Sequence, residues 1–245
     1  MVLRINPSRM GNMKKLTLSF LIVLFTLTSN VVWSADLNKG MGAYHDGNYT
    51  VALLELKPLA EQGDVYAQSF LGVMYHNGKG VPQNYKTALR WYSLSADQGY
   101  CFSQYNLGVM YYEGKGVLKN YKTAEKWFTL AAEQGYTDAQ FNLGNMYRIG
   151  EGVAQNYKTG VQWNRLAAEK GHSDAQYNLS ISYDMGLGVL KDYVYAHMWA
   201  NIAASNGTVG GASLRDSVEA KMTSADISKA QNLAREFVAK FNRDC

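Results

Sequence analysis

From residue 67 to residue 211 the apolar positions of the chain fall into two helical stripes, and the pair of stripes returns every 36 residues. In the first stripe Ala67, Leu71, Met74 and Tyr75 stand at offsets 0, 4, 7 and 8, one face of an α-helix. Ala139, Leu143, Met146 and Tyr147 repeat that set. The second stripe runs through Ala88, Trp91, Tyr92 and Ser95 and returns as Ala124, Trp127, Phe128 and Ala131. Small residues opposite large aromatic ones let two short helices approach closely while the space between units is filled. Gly63, Gly99, Gly135, Gly171 and Gly207 keep the same step, as do Gln68, Gln104, Gln140 and Gln176. So many coincident registers define an internal repeat, and the pattern predicts an all-α solenoid of helix-turn-helix units.

Polar residues mark the expected helix ends. Asn84, Asn120, Asn156 and Asp192 precede the second helices and are suited to cap them. Thr137 with Gln140, and Ser173 with Gln176, have capping-box spacing at the first helices, where Cys101 takes the equivalent place in its unit. The pairs Gly78/Gly80, Gly114/Gly116, Gly150/Gly152 and Gly186/Gly188 each follow a helix. A phosphate-binding glycine loop would follow a strand, so these pairs are predicted to be turns. At the start, residues 39–46 and 49–62 read as a shortened pair joined at Gly47, packed through Ala52, Leu56, Leu59 and Ala60. At the end, Gly210 and Gly211 read as a linker to a helix over 214–222 and a last one over 224–241. Thr223 and Asp226 cap the last, and Ile227, Ala230, Leu233, Ala234 and Phe237 form its apolar face.

The first 35 residues carry a different signal. Met13, Lys14 and Lys15 precede the apolar stretch from Leu16 to Leu27, and small polar residues follow, the order of a secretory signal peptide. The stretch is about 12 residues against roughly 20 for a bilayer span, so no stable membrane span is expected after cleavage near Ala35 or Asp36. The division predicted is therefore 1–35 signal peptide, 36–66 partial repeat, 67–211 repeats and 212–245 capping helices, with a periplasmic or secreted location. After Ala35 the basic and acidic residues number 20 each, so the net charge of +4 belongs to the export segment and no nucleic-acid partner is implied. Cys101 and Cys245 either pair or remain as thiols, and neither outcome makes a disulfide-framed fold.

The unit A-x-x-x-L-G-x-x-Y-x-x-G-x-G-V, followed by A-x-x-W-x-x-x-A-A and Gly, is carried by Ala67, Leu71, Gly72, Tyr75, Gly78, Gly80, Val81, Ala88, Trp91, Ala96 and Gly99. It resembles the Sel-1-like repeat family, relatives of the tetratricopeptide repeats, over about residues 37–211. The resemblance implies a right-handed α-solenoid serving as a non-catalytic scaffold or adaptor for another protein or an extended peptide. A cysteine-rich subgroup is linked to β-lactam binding or hydrolysis, which makes a β-lactamase-like cell-envelope hydrolase the alternative. The paired cysteines of that subgroup are absent here. Ser103, Gly160 and Ser180 depart from the family pattern, and Gly160 is expected to weaken its helix by up to about 1 kcal/mol relative to alanine.

No catalytic constellation is evident. His45, His76, His172 and His197 fall in different units, without metal-ligand spacing, and Ser173 beside His172 is accounted for as a cap. No catalytic, metal or cofactor residue is assigned. In related tetratricopeptide repeats the first helices line the concave side of the stack. Their non-core positions here are Tyr105, Phe141 and Tyr177, then Asn106, Asn142 and Asn178, with Tyr112 and Arg148 two turns on. Amides suit an extended peptide backbone and aromatic rings suit its apolar side chains. Two readings fit these residues, a ligand groove and internal bracing.

Overall fold

An asparagine or aspartate opens each second helix of the repeat. Asn84, Asn120 and Asn156 each accept from the backbone N–H three residues on, at 3.0 Å, and Asp192 accepts from Val194 and Tyr195. The computed structural model describes residues 35–244, with side chains to residue 240; the signal segment, its cleavage region before residue 35, and Cys245 lie outside them. The described residues form twelve helices and no strand. These pair as α1 (Leu37–His45) with α2 (Tyr49–Glu61), α3 (Val65–Asn77) with α4 (Tyr85–Asp97), and α5 (Cys101–Glu113) with α6 (Tyr121–Glu133). Next come α7 (Thr137–Ile149) with α8 (Tyr157–Glu169), α9 (Ser173–Met185) with α10 (Tyr193–Ser205), and then α11 (Gly211–Glu219) and α12 (Ser224–Asp244). Each helix packs on the one before and after it through α11, and α12 returns onto α10. The solenoid expected from the periodicity is therefore the observed architecture, and no described helix is long and apolar enough to cross a membrane.

The first-helix caps differ from expectation by one residue. The turn closes between the Gln140 N–H and the Tyr136 carbonyl, so Tyr136 is the cap and Thr137 the first helical residue, whose hydroxyl is past the position that could accept. Cys101 is likewise the first residue of α5, behind Tyr100, and Ser173 stands behind His172. His172 caps in its own way, its Nδ1 accepting from the Ala175 N–H at 3.2 Å. Gly211 is also not a linker residue. It opens α11 against α10, and a Cβ there would lie 2.8 Å from the Ala204 nitrogen. The paired glycines are turns as predicted: Gly78 has φ +68° and caps α3, its N–H donating to the Met74 carbonyl.

One contact recurs through the stack. The Tyr92 ring of α4 lies on Gly72 of α3, and the Phe128 ring of α6 on Gly108 of α5, so close that a Cβ on either glycine would be 2.5 Å from ring carbons. In the next pair Asn164 replaces the ring over Gly144. The α7 and α8 backbones are then close enough that a Cβ on Gly160 would sit 2.9 Å from the Gly144 carbonyl oxygen. In the last pair Ser180 of α9 stands at the glycine's repeat position and Ala200 of α10 at the ring's, and the Ser180 hydroxyl donates to the Ala196 carbonyl at 2.8 Å. The family departures at 160 and 180 thus accompany changes at their repeat partners 164 and 200.

A polar ladder joins the units. Gln68, Gln104, Gln140 and Gln176 are buried, and each Nε2 donates to the carbonyl of Ala60, Ala96, Ala132 or Ala168 in the preceding helix. Their Oε1 atoms accept from Gln98 for Gln68, from Gln134 for Gln104 and from Asn206 for Gln176. Lys170 occupies the corresponding place for Gln140, donates instead to the Gly135 carbonyl at 2.7 Å, and leaves Gln140 Oε1 buried without a partner.

The far end is closed by α12. Leu94, Leu130 and Leu166 are 39%, 37% and 42% exposed, whereas their repeat equivalent Ile202 is 3% exposed beside Phe237 and Val238. Phe237 also meets Trp199 edge-on at 5.0 Å, and Ala230 and Ala234 are buried, so the predicted apolar face of the last helix is the one used. Thr223 accepts from the Asp226 N–H at 3.2 Å, as its spacing implied.

Two stability measurements follow from this packing. Lys170→Gln gives Gln140 its missing donor and should stabilise by about 1 kcal/mol, a rise in Tm of about 2–4 °C by calorimetry. An unchanged or lower Tm would show that the glutamine ladder contributes nothing to stability. Gly160→Ala, a stabiliser by helix propensity alone, is expected to lower Tm because its methyl meets the Gly144 carbonyl.

Candidate functional site

The candidate residues named from sequence have unlike surroundings. Asn106 donates to the Phe102 carbonyl of its own helix at 2.7 Å. Asn178 is 9% exposed, and its Nδ2 donates to Asn145 Oδ1 at 2.9 Å and to Asn164 Oδ1 at 3.5 Å. Asn164 in turn donates to the Gly160 carbonyl at 3.1 Å, and Arg148 Nε to Asn145 Oδ1 at 3.4 Å. An asparagine cluster therefore fills the space beside Gly144 where the preceding units hold a ring. Phe141 stacks on His172 with centroids 4.2 Å apart, and Tyr177 lies beside Gly210.

Tyr105, Tyr112 and Asn142 are brought together. They line a cavity of about 230 Å³ between α5 and α7, with Val109, Glu113, Phe128, Asn145 and Met146 completing its walls. The Tyr105 ring lies 4.9 Å from Tyr136 and 5.9 Å from Phe128, which holds it in place. Burial, and then the Asp138 charge, push the Tyr105 hydroxyl pKa up, while a hydrogen bond with Asn142 opposes them. Tyr112 meets Tyr121 edge-on at 5.1 Å and donates to the Glu151 carboxylate. That bond is the largest cause, ahead of burial, for a Tyr112 pKa pushed up to about 12. The same bond, followed by one from Tyr121, holds the Glu151 carboxyl below its ordinary range, so the carboxylate is ionised at neutral pH. Glu113 pairs with Lys115 at 2.6 Å, both partly exposed.

Sequence reasoning missed Glu113, Asn145 and Glu151. Asn145 stands at the position of Val73, Val109 and Ile181, and Glu151 lies within a paired-glycine turn where two earlier turns hold Lys79 and Lys115. Both breaks in the repeat were readable signals. What the cavity offers is ring faces, hydroxyls, amides and one carboxylate, which is recognition chemistry. Among the described residues no group of three or more histidine, cysteine, aspartate or glutamate side chains could hold a metal ion. Cys101 is a half-buried thiol near the start of α5.

The comparisons with known proteins bear on the fold first. A family model described as Sel1 repeat matches residues 65–100, 101–136, 137–172 and 173–208. No curated protein matches the chain. Among solved structures, a Sel1 repeat protein from Oxalobacter formigenes is 35% identical, with 72% of each chain covered and a TM-score of 0.69. A protective antigen of uropathogenic Escherichia coli with an SLR fold is 25% identical over 84% of this chain and 68% of that one, TM-score 0.42. An immunity protein from Pseudomonas aeruginosa is 18% identical over 85% and 84%, TM-score 0.49.

Three substitutions test the site's construction. Alkaline titration followed by tyrosine NMR should find Tyr112 ionising near pH 12, and Glu151→Gln should bring it down toward the ordinary value of about 10. The neutral phenol is the form favoured by folding, so this stabilisation is full below about pH 10 and fades as pH rises toward 12. Asn178→Ala should destabilise by about 1–3 kcal/mol in denaturant melts, because it strips a donor from buried Asn164 and Asn145, while Asn142→Ala stays within about 0.5 kcal/mol.

Proposed function

Because the chain belongs to the Sel1 repeat family, whose repeats usually mediate protein binding, we propose that it is a non-catalytic adaptor holding another protein or an extended peptide along its first helices. Sel1 repeat proteins are generally non-catalytic scaffolds. The observation that carries the reading to a place on this chain is the α5–α7 cavity, where Tyr105, Tyr112 and Asn142 converge. A first-helix cavity with immobilised rings and amides offers both an apolar wall and backbone hydrogen bonding to a segment laid across the stack. The basic, apolar and small-polar order of residues 13–35 supports export, and we assign the adaptor to the periplasm or the exported space.

A photo-crosslinking residue at Asn142, with a control at the exposed Lys126 of α6, tests this in the native envelope. A discrete protein adduct from position 142 and none from 126 is expected, in the periplasmic or secreted fraction. Adducts from 126 alone, or from neither position, would contradict the docking face. Hydrolysis of a chromogenic β-lactam by the purified chain would move the assignment to the hydrolase.

A further inference from the structure

Three adjoining turns carry an internal comparison. In the first, Lys79 lies over the Tyr44 and Tyr49 rings, 5.2 and 5.6 Å from their centroids. In the second, Lys115 lies 5.9 Å from the Tyr85 ring and pairs with Glu113. In the third, the Tyr112 and Tyr121 rings form a similar pair, but the turn residue is Glu151, an ionised carboxylate accepting from Tyr112. The turn position thus holds an ammonium group at the first two sites and a carboxylate at the third, where Lys119 from farther along the turn lies over Tyr121 alone.

Resting on the reading of this surface as the docking face, we infer that the α5–α7 cavity takes a positively charged side chain, lysine or arginine, of an extended partner segment. Three aromatic rings and the Glu113 carboxylate line it, and ring faces with an adjacent carboxylate attract a cation. At about 230 Å³ it falls below the roughly 300–1,000 Å³ of pockets for whole small molecules, which fits one side chain of a longer ligand. An anionic side chain would meet Glu113 with Glu151 close behind, and an apolar one would cover the Glu113 carboxylate without offsetting its charge. Arg148 donates to Asn145 and Lys119 lies 5.4 Å from the Tyr121 ring; neither lines the cavity. Lys115 holds Glu113 through a partly exposed ion pair, which an incoming cation can exchange at small cost. Lys115 is therefore the ligand's competitor.

The test is a two-dimensional NMR titration of the labelled full chain at low ionic strength with capped Gly-Lys-Gly and Gly-Arg-Gly peptides, against their norleucine and glutamate counterparts. Lysine and arginine peptides should shift the Tyr105, Val109 and Asn142 resonances, with the other two at least about ten-fold weaker. Glu113→Gln should weaken the lysine peptide by about ten-fold, and Lys115→Gln should strengthen it by about three-fold. Circular dichroism checks both variants, and if Glu113→Gln loses helicity the sign of the Lys115→Gln effect decides. Equal or tighter binding of the norleucine or glutamate peptide, weaker binding after Lys115→Gln, or no shift with any cationic peptide overturns the inference. Crosslinking from position 142 that succeeds while these peptides leave the cavity unperturbed would keep the docking face and discard its charge preference.

Discussion

The spacing within each helix pair depends on how a second-helix side chain meets a first-helix residue with little or no side chain. Tyr92 on Gly72 and Phe128 on Gly108 fill the gap with a ring that tolerates no Cβ beneath it. Protein interiors are close-packed, so a change on one side of such a contact has to be matched on the other. Asn164 over Gly144, and Ser180 bonded to the Ala196 carbonyl, are two different matches, and both keep the pair intact. Because each described unit packs chiefly on its neighbours, such local solutions need not spread along the stack.

The substitution at 164 has a consequence beyond packing. A buried amide in place of a ring needs partners, and it finds them in the Gly160 carbonyl and Asn178, which also reaches Asn145. Asn145 faces the α5–α7 cavity as well, so the polar core of the third unit continues into the wall of the candidate site. That network ties the cavity to α9 and orders one of its amides before any partner arrives, the kind of preorganisation that lowers the cost of binding. The same unit supplies Glu151, which orients the Tyr112 hydroxyl. Two neighbouring departures from the repeat thus meet at one place.

The fold was legible because its determinants are periodic. Leu71, Leu107, Leu143 and Leu179 are all buried, and Asn84, Asn120 and Asn156 cap as their positions implied. The first-helix caps were displaced by one residue because Thr137 and Gln140 mimic a capping box while Gln140 is drawn inward to the Ala132 carbonyl. Tertiary hydrogen bonding outweighed a local motif there. The site was legible only in part. Repeat phase places Tyr105, Tyr112 and Asn142 on one face, but it treats Asn106, Asn142 and Asn178 as equivalents. Their surroundings differ because Asn145 and Asn164, which Asn178 meets, stand where the preceding unit holds Val109 and Phe128. Aperiodic neighbours are where a repeat protein hides its site, and reading down each repeat column for the odd residue recovers Asn145 and Glu151.

The proposed docking of a partner segment across the first helices centres on the α5–α7 cavity. A crystal structure of the chain with its crosslinked partner segment tests it most directly. That segment is expected to run over α5 and α7, with a side chain seated between Tyr105 and Tyr112 within reach of Glu113. A partner bound along the second helices, with the Tyr105, Tyr112 and Asn142 cavity untouched, would contradict it.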